Sequence, residues 1–380
     1  SKSRIVPHPE PAPTVPWSVS APRRRDLVFV SAGLEPEGGG RAAAGRLLAD
    51  ACAAFARQQG TGFRVLALRG EGPAGAPSRG FAGRPLALAG AAWRGQLRRR
   101  HEAYVFDLLG PARLQAVLPA PLRAPYLLVL LGIEAWRRLS WDRARAVRLA
   151  AAVLAISRHT LERARPFCPG LERARVVPLA LSDRVPAGPV DRALATRLGE
   201  GFVLIVGRMD PRERYKGHDE LLAALAAVPG ARLVVAGDGE DRPRLEARAA
   251  ALGLGERVAF TGFVGEATLA ELYRRCALFA MPSRGEGFGL VYLEAMRAGK
   301  PCVAVRASAA EEVVADGETG LLVAPDDRAE LAAALARLLA APDLAQRFGE
   351  AGRRRFLRDF TAERFRERLA PHLDLLTRTA

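Results

Sequence analysis

Ala277-Leu-Phe-Ala-Met-Pro-Ser-Arg-Gly-Glu-Gly-Phe-Gly-Leu-Val-Tyr-Leu-Glu-Ala-Met-Arg-Ala-Gly-Lys-Pro-Cys-Val-Ala-Val305 begins and ends on short apolar runs of the kind that form buried strands. Between them lie a glycine-rich loop and, from Leu290, a helical pattern. Gly299 and Pro301 stop that helix in the usual way, a glycine just past the last turn and a proline soon after. Strand, loop, helix and strand in this order make a βαβ unit, which implies a parallel sheet.

The same alternation extends in both directions. Upstream, strands are expected at 26–32, 64–69, 103–106, 126–131, 153–157 and 175–179, with Ala-Leu-Arg helical periods between them. A second series is expected at 202–207, 232–236, 257–260, 277–281, 302–305 and 320–323. Ser182-Asp-Arg-Val-Pro-Ala-Gly-Pro-Val190 between the series reads as a linker. A chain of 380 residues also exceeds what one hydrophobic core usually supports. The expected class is therefore α/β, with two doubly wound Rossmann-like domains facing a central cleft. The expected division is a Pro-rich flexible leader at 1–25, a first domain at 26–185, a second at 186–360, and a terminal helix at 361–380 that packs back on the first domain.

Composition narrows the function classes. The leader lacks the apolar segment of a secretory signal, and the most apolar run, Tyr126-Leu-Leu-Val-Leu-Leu-Gly-Ile, is closed by Glu134 before it could span a bilayer. Cys52, Cys168, Cys276 and Cys302 are far apart, and the five histidines are scattered, so reduced thiols and no metal site are expected. Net charge is +16, with 31 Lys and Arg against 15 Asp and Glu in residues 1–200, and 26 against 26 thereafter. The whole excess lies in the first half. It suits an anionic partner such as a membrane face or a lipid diphosphate, and equally an Arg-rich solvated surface. Nucleic acid is not expected, because few Trp and Tyr interleave the basic positions. The cellular place expected is the cytoplasm, with peripheral association at the inner face of the membrane.

Two constellations carry chemistry. In Pro282-Ser-Arg-Gly-Glu-Gly-Phe-Gly-Leu290 the glycines leave backbone N–H groups bare at a helix N-terminus, a ready anion site. Glu286 in the loop and Glu294 in the helix flank it. A carboxylate accepts from two hydroxyls at once, which suits vicinal diols. Singly, each is more often a solvated or paired residue; together, a phosphate between two diol readers describes a nucleotide sugar. The second constellation is Gly207-Arg-Met-Asp-Pro-Arg-Glu-Arg-Tyr-Lys-Gly217, where Arg208 and Lys216 at opposite ends of one loop can clamp a diphosphate, while Arg212 and Arg214 read as surface arginines. Gly38-Gly-Gly-Arg41 is a weaker signal, with Gly39 and Gly40 read as bare backbone for donor or acceptor. Gly237-Asp-Gly239 lacks the third glycine of a dinucleotide fingerprint.

These residues resemble the retaining family 4 glycosyltransferases of the GT-B fold. The resemblance rests on the Arg208 to Lys216 loop with Lys-Gly-His-Asp219, on Val234-Val-Ala-Gly-Asp-Gly239, on Phe260-Thr-Gly-Phe-Val264, and on Glu286 and Glu294 eight residues apart. It is close over about residues 195–345 and looser before them. It implies that Glu286 and the backbone of Gly287, Phe288, Gly289 and Leu290 hold the sugar, Glu294 the ribose, and Arg208 and Lys216 the diphosphate, with the base beside Phe263 and Val264. It also implies transfer to a glycan or lipid-linked acceptor with retained configuration, needing no metal and no cofactor beyond the nucleotide-sugar donor. Arg208, Lys216 and Glu286 are the expected catalytic residues.

Two positions depart from the pattern. Relatives often carry histidine where this chain has Leu131, near the sugar 6-hydroxyl, so either the donor lacks that hydroxyl or Leu131 is strand packing. Relatives also place histidine after the acidic residue at 107, where Leu108 stands here, so Asp107 is either an acceptor contact or a helix cap. A sugar-nucleotide epimerase and an inactive nucleotide-sugar-binding protein are the alternatives; the first lacks a histidine in the expected loops.

Overall fold

The computed structural model describes residues 24–35, 38–98, 101–306 and 308–379. The leader expected at 1–25 lies almost wholly outside them. The first sheet holds β1 (Asp26–Ser31), β2 (Phe63–Ala67), β3 (Ser78–Gly80), β4 (Glu102–Phe106), β5 (Tyr126–Leu130), β6 (Ala152–Ala155) and β7 (Arg175–Val176). Their order is β3-β2-β1-β4-β5-β6-β7, and every pairing is parallel. The second holds β8 (Val203–Val206), β9 (Leu233–Ala236), β10 (Val258–Gly262), β11 (Leu278–Ala280), β12 (Cys302–Val305) and β13 (Gly320–Val323), ordered β10-β9-β8-β11-β12-β13 and again all parallel. Both sheets therefore reverse their strand order at one point, between β1 and β4 and between β8 and β11. Loops at the carboxyl ends of those strands diverge and leave a crevice.

Two expectations are corrected. β3 has no counterpart among the expected strands, because Ser78, Arg79 and Gly80 are all exposed and carry no apolar pattern. β7 ends at Val176 rather than at 179: Val177 still donates to Ala155 O, but Pro178 has no N–H with which to extend the ladder.

Alternate residues of the first sheet feed two faces. Leu27, Phe29, Val105 and Val129 point into one apolar layer, and Val28, Val30, Tyr104 and Leu128 into the other. The first layer is closed by helices Gly39–Gln59 and Ala362–Thr377. Phe365, Leu369, Leu373 and Leu376 recur at helical spacing and are buried there. Each such side chain contributes about 1.5–3 kcal/mol.

The chain thus passes from first domain to second near Leu181 and returns near Thr361. The two passages pair, Leu181 N–H donating to Phe360 O at 3.0 Å and Ala362 N–H to Leu181 O at 2.9 Å. The far end of the terminal helix is tied by Arg24 to Asp374 at 2.6 Å. All four cysteines are buried and unpaired. No helix among the described residues is long and apolar enough to cross a membrane.

Candidate active site

The loops after β8 and β11 meet at the strand-order reversal of the second sheet. Arg284 N–H donates to Tyr215 O at 2.9 Å, so the two loops lie directly on one another. Glycine makes this possible. A Cβ on Gly217 would stand 2.4 Å from Pro282 O, and one on Gly285 would stand 2.6 Å from the Tyr215 ring. The third loop, after β9, packs as closely: a Cβ on Gly237 would lie 2.2 Å from Gly207 O, and one on Gly239 2.0 Å from Met209 O. Gly237-Asp-Gly239 is thus a backing for the Arg208 loop, held by Met209 N–H to Asp238 O and Asp241 N–H to Met209 O, both at 3.0 Å.

Arg208 and Lys216 converge as the loop closes on itself, and both reach the same carboxylate. Glu213 accepts from Arg208 Nη2, and its Oε2 lies 3.3 Å from Arg208 Nε and 3.0 Å from Lys216 Nζ. Burial pushes the Glu213 carboxyl up, but its two cationic partners outweigh this and hold it below the usual glutamate range. Arg212 pairs with Asp210 at the surface. Arg214 differs from the plain surface arginine expected: it bonds the buried Asp241 through Nε at 3.0 Å and Nη2 at 2.8 Å, pinning the loop to the helix Arg242–Ala251.

Glu286 is half-buried and accepts from Ser283 Oγ at 3.2 Å; burial pushes its carboxyl up, against the opposing charge of Lys216. Glu294, one turn into the helix Leu290–Arg297, accepts from the Tyr273 hydroxyl at 2.8 Å and is likewise raised by burial. Gly289 precedes that helix with φ of 91°, a conformation that favours glycine. Phe288 is buried edge-on against Phe360, so its side chain is committed to the core. Leu290 and Val264 are half-buried against the core, whereas Phe263 is 68% exposed, a bare ring beside the cleft loops of the second sheet.

Across the cleft, Gly39 (φ 67°) opens the helix after β1, and a Cβ at Gly39 or Gly40 would meet nothing within 4 Å. Conformation alone calls for glycine at 39. Asp107 follows β4, on the neighbouring strand. It is buried and bonds back to the end of β1, accepting from the Ser31 hydroxyl and from Ala32 N–H at 3.3 Å; it does not cap the following helix. Burial pushes its pKa up to about 7. Leu131 is 8% exposed, its side chain in the core, and its carbonyl oxygen is what abuts Gly287, at 2.5 Å from where a Cβ would stand. Its N–H donates to Glu134 Oε1 at 2.7 Å, as does that of Gly132 at 3.2 Å.

Direct bonds close the cleft at this point. Ser157 Oγ and Thr160 Oγ1 of the first domain donate to Gly287 O of the second at 2.7 and 3.0 Å. Glu312 of the second accepts from Arg158 N–H at 2.8 Å and His159 N–H at 2.7 Å, capping the helix Arg158–Ala164 from outside. Glu134, Ser157, Thr160, Glu213 and Glu312 were not among the residues expected from sequence. Only Ser157 carried a local signal, a serine at a helix start, and it does accept from Thr160 N–H as an N-cap. The others act on partners far along the chain or within a turn no pattern announces.

Comparison with known proteins agrees with this geometry. Residues 190–355 match the family model of glycosyl transferases group 1. Over 220 residues the chain is 36% identical to a GDP-mannose-dependent alpha-(1-6)-phosphatidylinositol monomannoside mannosyltransferase of Mycolicibacterium smegmatis, covering 54% of this chain and 57% of that protein. Over 218 residues it is 33% identical to an alpha-D-kanosaminyltransferase of Streptomyces kanamyceticus, covering 55% and 56%. The match thus spans little more than half of each relative. Among solved structures, sucrose-phosphate synthase from Thermosynechococcus elongatus superposes with a TM-score of 0.77 at 24% identity, over 93% of this chain and 99% of that one. Anabaena HepE in complex with UDP superposes with 0.75 at 22% identity, over 92% and 99%. Two parallel sheets reversing at facing points, with the motif loops of the second domain against the first, are the GT-B fold, and within it residues 190–355 are similar to the glycosyl transferases group 1.

Proposed function

We propose that the protein transfers a sugar from a nucleotide-diphosphate sugar to a hydroxyl of a glycan or lipid-linked acceptor, with retained configuration and without a metal. The observation that carries this is the convergence of Arg208 and Lys216 on one point, on a loop that lies against the loop of Glu286. Two cations on the loop at the carboxyl end of β8 stabilise the charge that grows on a departing diphosphate, and only the part gained in the transition state speeds the reaction. Glu286 and the backbone from Gly287 to Leu290 would hold the sugar, Glu294 the ribose diol, and the exposed Phe263 ring with Val264 the base. A departing phosphate held this way serves as the base for the acceptor hydroxyl on the same face, so no protein nucleophile is required. Gly39 and Gly40 would let the donor phosphate or the acceptor approach bare backbone, and Asp107 would contact the acceptor.

Peripheral membrane attachment belongs to the same proposal. The helix Pro85–Arg98 exposes Leu86 and Leu97 beside Arg94 and Arg98, and Trp141 is exposed next to arginines on the same domain. Such a mixture suits an anionic lipid surface, which retention on vesicles containing anionic lipid would test. Leu131 buries its side chain in the core, which favours strand packing over selection of a donor lacking a 6-hydroxyl, and comparable turnover of a glucose or mannose donor is then expected.

The central test is a thermal-shift panel of nucleotide sugars and nucleoside diphosphates. A ligand at 100 times its Kd adds about 2.7 kcal/mol. A melting point moved by no member of the panel would sink the proposal.

A further inference from the structure

Every cation of the Arg208 loop has a carboxylate, but the partners differ in kind. Arg212 pairs with Asp210, and Arg214 with Asp241, which also holds Arg244 outside the loop. Arg208 and Lys216 share one: among the described residues, Glu213 is the only carboxylate in ion-pair contact with either. It reaches both because the turn Pro211–Lys216 departs from helical geometry at Glu213 itself (φ −117°, ψ 24°), with its N–H held by Asp210 O at 2.8 Å. The carboxylate therefore occupies the point on which the two cations converge.

Resting on the donor-site reading above, we propose that Glu213 is an internal counter-ion that competes with the donor diphosphate for Arg208 and Lys216, setting how tightly a diphosphate is held and how readily the product nucleotide leaves. A diphosphate takes up the same N–H donors that Glu213 accepts from, and its charge repels the carboxylate at close range. The side chains differ in their freedom to respond. Arg208 is 58% exposed and has room to turn, whereas Lys216 and Glu213 are 18% and 19% exposed, so Arg208 is the group that swings from the carboxylate to the diphosphate while Lys216 is shared between them. When the nucleotide departs, Glu213 takes both cations back, which favours release. A ligand with a single weak negative charge competes poorly with a carboxylate already bonded twice, so the same residue selects for diphosphates. Glu213 is thus a positioning residue and not a catalytic one.

The test uses the full chain with Glu213→Gln and, as a milder change, Glu213→Asp. Binding of inorganic pyrophosphate, UDP, GDP and uridine is measured by calorimetry, together with steady-state kcat and KM for whichever donor is active. Glutamine keeps the size and removes the charge. The expected result is about three- to tenfold tighter pyrophosphate and nucleoside diphosphate binding in Glu213→Gln, a smaller gain in Glu213→Asp, unchanged uridine binding, and a lower KM with kcat falling alongside. A merely structural role would move uridine and pyrophosphate alike. Unchanged or weaker pyrophosphate binding in the variants, with the parent protein binding normally, would overturn the role of Glu213 alone. If the parent protein binds neither pyrophosphate nor either diphosphate, the donor site itself is wrong and this role falls with it.

Discussion

Ser157 Oγ in the first domain donates to the carbonyl oxygen of Gly287 in the second at 2.7 Å, one residue from Glu286. The bond links closure of the two domains to the backbone of the loop that would hold the sugar. Thr160 adds a second donor to the same oxygen. Ser157→Ala combined with Thr160→Ala removes both. Because a neutral hydrogen bond contributes about 0.5–1.5 kcal/mol net, the two together contribute about 1–3 kcal/mol and turnover should fall roughly 5- to 150-fold. Nucleotide affinity, which the proposed donor site would set within the second domain, should hardly change, and steady-state kinetics beside calorimetry would separate the two.

Arg208→Ala and Lys216→Ala each remove one of the two converging cations. Turnover should drop by about 10²–10³-fold, the cost of deleting one preorganised charge stabiliser. A variant turning over at the parental rate would exclude that residue from leaving-group stabilisation.

Glu294→Gln tests ribose recognition through a group that Tyr273 already orients. Hydrogen bonds to a charged acceptor contribute about 1.5–3 kcal/mol, so a nucleoside diphosphate should bind about tenfold or more weakly. The parent protein should discriminate against the 2′-deoxy nucleotide, and the variant should not. Equal binding of the two nucleotides by the parent protein would contradict the assignment.

Asp107 gives a pH signature of stability. Burial raises it from about 3.8 to about 7, so the folded protein holds a proton there that the unfolded chain has released. The stabilisation from that proton is complete below about pH 4 and is lost as pH rises to about 7. Asp107→Asn cannot ionise, so its melting point relative to the parent should rise between pH 5 and pH 8. His218 works the other way in both proteins, since burial holds it down to about 4 and folding disfavours its protonation as pH falls. The comparison between variant and parent removes that contribution.

Gly239→Ala tests the loop backing. A Cβ there would stand 2.0 Å from the backbone oxygen of Met209, and φ is 152°. Something in the backbone must shift, so a loss of roughly 2 kcal/mol or more and a lowered melting point are expected. Diphosphate binding should weaken with it, because Met209 adjoins Arg208.

Much of the fold was legible in the chain because strands buried on both faces leave continuous apolar runs. Cys302–Val305 and Gly320–Val323 have the bounds expected of them, and most others differ by a residue or two at their ends. β3, exposed and carrying Ser-Arg-Gly, left no such trace, since only its pairing with β2 makes it a strand. Of the candidate site, Arg208, Lys216, Glu286 and Glu294 could be named from residue type and spacing, because glycine-rich loops after strands and carboxylates near a helix start are local patterns. What those side chains touch was not local. Glu213 bridging two cations depends on the shape of one short turn, and the tie from Ser157 to Gly287 joins residues 130 apart. By itself the sequence determined two parallel α/β halves and the loops that bear charge, since burial periodicity and turn chemistry act between near neighbours. Only the tertiary structure decided how the loops back one another, which carboxylate holds the cations, and where the halves meet. Those contacts are set by the approach of backbones distant in the chain, and approaches of that kind leave no periodic mark.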